Sequence, residues 1–141
     1  MQTDDLRATL RDTLASIAGN ALVALAYGCE IQLTTEADGS GDCLYRDPTG
    51  RELPAEVHRP VCIAGPIAEE ALRQGGPDHL TAEYLQEHFQ TVGLVVPDYA
   101  AGYTLADIEL ALRLLTERWP LVVEQVEMRE YQILNGGAKP H

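Results

Sequence analysis

The sequence predicts an α+β fold that is mostly α: a helical bundle carrying one small β-hairpin. Leu6, Leu10, Leu14, Ile17, Ala21 and Leu25 recur at steps of three and four, the spacing of one helix face. Leu105, Ile108, Leu112, Leu115, Trp119, Val122 and Val126 repeat the pattern near the other end. Between them, Ile31 and Leu33 alternate with Gln32 and Thr34, the period of a strand with one buried face. A chain of 141 residues suits a single domain, 1–141, and no repeat, low-complexity tract or linker divides it.

The first helix is predicted to start with Thr3 as N-cap and Asp4 and Asp5 in its first turn. Gly28 is placed to stop it. Glu30 to Thr35 reads as a strand, Ala37-Asp38-Gly39-Ser40-Gly41 as a turn, and Asp42 to Arg46 as the returning strand. Asp47-Pro48-Thr49-Gly50 is a second turn. Ala55 to Gln74 is helical in pattern through Val57, Val61, Ile67, Ala68 and Leu72, with Pro60 and Pro66 expected to bend or divide it.

Gly75-Gly76-Pro77 breaks the chain, and Asp78 is expected to cap a helix ending near Thr91. A loop from Gly93 to Tyr103 leads to the last long helix, which opens on Thr104 and Asp107, close to a capping box. Its stripe reads as a face packed on the core; a coiled-coil seam, and so a homodimer through the C-terminal helix, is the alternative. Pro120 speaks for the former, since it forfeits a hydrogen bond to Thr116 and bends the helix. From about residue 136 the chain reads as a frayed tail.

Net charge is −12, from 22 acids against 10 bases. Such a field repels a phosphate backbone and argues against direct nucleic-acid binding. It suits a solvated surface or a basic protein partner. The longest apolar stretch, Ala21 to Tyr27, is far short of the ~18 residues of a membrane span. Asp4 and Asp5 do not fit a signal peptide, so a cytoplasmic location is expected. Cys29, Cys43 and Cys62 are odd in number, lack CxxC spacing and sit among apolar neighbours, so reduced, buried thiols are expected.

There is no Gly-x-Ser-x-Gly, no P-loop and no dinucleotide turn. The histidines are His58, His79, His88 and His141. His58 and Cys62 are four apart, but Pro60 lies between them, and the pair reads as a surface histidine and a core thiol rather than a metal site.

Four segments, in order, resemble one family. Ala18 to Gly28 (AGNALVALAYG) resembles the helix of FtsH-type zinc metallopeptidases that reads His-Glu-Ala-Gly-His before an apolar run and a Gly. After a strand pair, Ile63 to Leu72 (IAGPIAEEAL) is similar to that family's Gly-rich segment ending in Ala-Glu-Glu-Leu. Gly75 to Ala82 is similar to its Gly-containing turn and Asp-x-x-x-Ala helix start, and Ala111 to Gly136 to its closing helix.

In that family two histidines one turn apart bind zinc, the adjacent glutamate activates water, and an Asp from a later helix completes the site. Carried over, the histidines fall on Ser16 and Asn20 and the glutamate on Ile17; only the third ligand survives, as Asp78. Neutral Ser and Asn oxygens hold zinc poorly, and Ile moves no proton. The resemblance therefore implies a pseudopeptidase with no catalytic residues, no metal and no cofactor. It also makes Asp78 the candidate partner of Asn20, and Glu69 and His79 candidate cleft or interaction residues.

Three functions fit. The first is a non-catalytic module that binds a protein partner, with Glu30 to Thr35 pairing a peptide as the family's strand edge does. The second is an acidic inhibitor, or nucleic-acid mimic, of a basic nucleic-acid-binding protein. The third is a hydrolase with an atypical site built from Asp78, His79 and Glu69.

Overall fold

The computed structural model describes residues 3–35 and 41–135, with side chains from 8–34 and 41–135. The expected hairpin turn and the tail from 136 lie outside these residues, as do His141 and the side chains of Thr3 and Leu6. The order is α1 (Thr3–Ala26), β1 (Glu30–Thr35), β2 (Gly41–Arg46), α2 (Ala55–Arg73), α3 (Ala82–Val92), a 3-10 turn (Asp98–Ala100), α4 (Leu105–Glu117) and α5 (Trp119–Leu134). The fold is α+β and mostly helical, with one two-stranded antiparallel sheet among the described residues. Thr3 is already helical.

Glycine ends three of the helices by one mechanism. At α1, Gly28 takes φ 80, donates to the Leu25 carbonyl and lets Cys29 reach back to Ala24 at 3.0 Å. Only a residue without Cβ enters that left-handed conformation cheaply. Gly75 and Gly93 close α2 and α3 with the same bond pattern.

The hairpin register pairs Ile31 with Tyr45 and Leu33 with Cys43. These side chains are half-buried against the helices, while Gln32, Thr34, Leu44 and Arg46 face outward. The helices share one core, in which Leu14, Val23, Ile63, Ile67, Leu85, Ile108, Leu115, Val122 and Val126 are all at or below 1% exposure.

α1 and α2 pack antiparallel: Asn20 lies by Val61, Ser16 by Gly65, and Asp12 by Arg73. They approach so closely that a Cβ on Gly19 would stand 2.7 Å from the Ala64 carbonyl, and one on Gly65 2.5 Å from Ser16 Oγ. α2 runs unbroken through Pro60 and Pro66. It is tied to α4 by Arg59 Nε, which donates to Asp107 Oδ2 at 2.9 Å. Asp107 also completes the expected capping box with Thr104.

Two expectations are corrected. Asp78 does not cap α3; it is exposed in a turn closed by Leu80 donating to Pro77 at 3.0 Å. Thr81 is the cap, accepting from Tyr84 at 3.1 Å. The last long helix is two helices. Pro120 has no N–H for Thr116, and the chain breaks at Arg118 (φ −114, ψ 14) rather than bending. Pro120 then occupies the first turn of α5, where its missing donor costs nothing. Trp119, at this joint, is half-buried. The expected stripe is an internal face, because Ile108, Leu115, Val122 and Val126 are fully buried within the chain. No helix among the described residues is long and apolar enough to cross a membrane.

Candidate functional site

The residues singled out in the sequence fall into two places. Ser16 and Asn20 lie in the seam between α1 and α2. Asn20 Nδ2 donates to the Val61 carbonyl at 2.7 Å and to Cys62 at 3.5 Å. Ile17, which follows Ser16, is buried at 4% exposure. Asp78 and His79 are exposed beyond the opposite end of α2. From Val61 to Arg73 that helix rises about 18 Å at 1.5 Å per residue. Asn20 is therefore bonded to backbone at one end of α2, not to Asp78 at the other.

Glu69 sits half-buried one turn beyond Gly65, in the same seam. Burial pushes its carboxyl up to about 7, Arg73 draws it down, and Asp12 adds to the rise. Arg73 itself donates to Asp12 at 3.0 Å. Glu70, at 6% exposure, is held separately. It accepts from Tyr84 Oη at 2.9 Å and lies 3.1 Å from His88 Nε2, whose ring stacks on Tyr84. Neither carboxylate joins Asp78 and His79 in a shared site.

A polar cluster that sequence spacing only hinted at lies between β2, α2 and the 3-10 turn. Tyr45 Oη is 2.7 Å from His58 Nδ1 and 3.6 Å from Cys62 Sγ. Tyr99 also packs against His58, tilted, at 5.0 Å between rings. Tyr45 thus bonds to both members of the His58/Cys62 pair. Of the three thiols expected to be buried, Cys29 is, while Cys43 and Cys62 are half-buried; desolvation still raises all three, Cys43 to about 11. At neutral pH they stay protonated, which makes them inert as nucleophiles. Among the described residues no group of three or more His, Cys, Asp or Glu is placed to hold a metal ion.

The third feature is a groove of about 220 Å³ between the second half of α1, β1 and the start of α5. Leu22, Leu25, Ile31, Leu33 and Leu121 line it, with Gln125 at its margin. Leu25 and Leu121 are 48% and 49% exposed. β1 pairs with β2 alone among the described residues, so its other edge is open beside this groove. Every second residue of that edge directs N–H and C=O away from β2. Leu121 carried a signal, since it falls off the core stripe of Trp119, Val122 and Val126, whereas Leu25, expected on the packed stripe of α1, is exposed instead.

No family model, no curated protein and no solved structure matches the chain.

Proposed function

We propose that the chain is a non-catalytic protein-binding module that takes an extended, apolar peptide along β1. The carrying observation is the unpaired edge of β1 beside the groove of Leu22, Leu25, Ile31, Leu33 and Leu121. An open edge offers backbone hydrogen bonds to an added strand, and the groove offers its alternate side chains an apolar seat. The protonated thiols and the backbone-bonded Asn20 support a binding role over hydrolysis. In this reading the likeness to FtsH-type peptidases is one of descent. α1, the hairpin and α2 follow in the order the likeness requires, and Ser16 and Asn20 serve helix packing where the family has ligands.

Selection from a phage-displayed random peptide library tests it. The chain should enrich segments of about five residues with alternating apolar positions. Synthetic copies should protect the β1 amides from hydrogen exchange. Leu25→Asp, at an exposed position, should weaken binding by at least about tenfold, a loss on the scale of one buried anchor. Binding untouched by Leu25→Asp, with β1 amides exchanging freely, would remove the proposal. Hydrolysis of the bound peptides would remove its non-catalytic half.

A further inference from the structure

We infer that the outward face of α5 is a docking surface for a basic amphipathic helix, separate from the β1 edge. Pro120, Glu124, Met128 and Tyr131 recur at steps of three and four, so they form one stripe along the helix. Pro120 is exposed, and Met128 and Tyr131 are 38% and 50% exposed, whereas Val122 and Val126, on the opposite face, are fully buried. Val123 and Glu127 join these four around a shallow cleft of about 460 Å³. Exposed apolar side chains interleaved with acids along one helix face, at this spacing, suit helix-on-helix recognition.

Charge selects the occupant. The polar members of the stripe and its margin, Glu124 and Glu127, are both acidic and exposed. The basic residue of α5, Arg129, lies toward the core side and is half-buried. A second copy would set Glu124 and Glu127 against the same acids, within two chains of net charge −12 each. Like charges at a helix interface oppose association. A helix with Leu-type residues on one side and Lys or Arg flanking them meets both the apolar side chains and the two carboxylates. The chain's overall charge steers such a partner inward and repels acidic ones.

The probe is a synthetic, fluorescein-labelled helix of about five turns (~18 residues) with Leu on one face and Lys on the other. Its anisotropy is titrated with the full chain at about 0.15 M salt, where long-range attraction is screened beyond about 8 Å. Glu124→Lys with Glu127→Lys should raise Kd at least about tenfold, as removal of paired interface charges does. Met128→Ser with Tyr131→Ser should do the same without changing net charge. Glu83→Lys with Glu87→Lys, an equal charge change on exposed positions of α3, should leave Kd within about twofold.

Amides of residues 121–131 should gain protection while β1 exchanges as before, and Leu25→Asp should have no effect. Circular dichroism confirms that each variant is folded. Equal loss from the α3 pair would show attraction to net charge alone and overturn the assignment. No loss from Met128→Ser with Tyr131→Ser would do so too. A concentration-dependent dimer in light scattering that dissociates on Met128→Ser would give the face to a second copy instead.

Discussion

The side-chain amide of Asn20 donates to the backbone carbonyl of Val61 at 2.7 Å, joining α1 to α2 across a stretch that Pro66 has left short of a donor. Pro66 has no N–H for the Cys62 carbonyl, one helical turn back, which leaves that carbonyl without its usual helical donor. Asn20 Nδ2 lies at this point, bonding the Val61 carbonyl closely and the Cys62 carbonyl at 3.5 Å. An asparagine that stands at a ligand position in the motif comparison here repairs a proline-containing helix.

Replacing Asn20 by Leu should therefore destabilise the chain by about 1–3 kcal/mol, the cost of a half-buried carbonyl left unpaired. The denaturant midpoint should fall with an unchanged slope. An unaltered midpoint would show that water replaces the amide without loss.

Gly65→Ala should destabilise the chain, although alanine is the better helix former. The added Cβ would meet Ser16 Oγ at 2.5 Å and Asn20 at 3.1 Å, an overpacking worth about 1–3 kcal/mol. Ser16→Gly should recover part of the loss in the double variant, because it removes the atom that is struck. A double-mutant cycle with no coupling would place the two helices further apart than 2.5 Å implies.

Glu69 should make the fold less stable as pH rises. Its folded carboxyl is raised from 4.5 to about 7, chiefly by burial. Below 4.5 the folded and unfolded chains both hold the proton, so the group is neutral to stability there. Between 4.5 and about 7 the folded state binds more protons, and stability falls with increasing pH. Glu69→Gln should flatten that slope and raise the melting temperature more at pH 8 than at pH 5. A Gln variant with the wild-type pH profile would assign the dependence to other groups.

The thiols should resist alkylation while the chain is folded. Cys43 titrates near 11, and Cys29 and Cys62 are also raised by burial. At pH 8, iodoacetamide should modify all three cysteines in guanidinium and label the folded chain only slowly. Rapid labelling of Cys62 in the folded state would show that Tyr45 and His58 activate it.

Most elements were legible because their signals are local. A step of three or four, an alternation of two, a glycine after an apolar run and Thr104 with Asp107 each act within a few residues. That range is enough to delimit α1, the hairpin, α2 and the start of α4. Choices between equivalent local signals were decided elsewhere. Asp78 and Thr81 are both capping residues, and Thr81 prevails because Leu80 and Ala82 beside it are buried and set where α3 begins. Pro120 could bend a helix or restart one; the chain restarts, and both halves keep their apolar sides on the same core.

The sequence by itself determined a mostly helical α+β chain, its acidic field, and thiols without a disulfide pattern. Only the tertiary structure decided what Ser16, Asn20 and Glu69 do, because their partners arrive from far along the chain: Val61 lies 41 residues from Asn20. The same holds for the exposed strips at β1 and α5. An apolar residue reads alike in sequence whether it faces the core or water, and docking of the helices decides which.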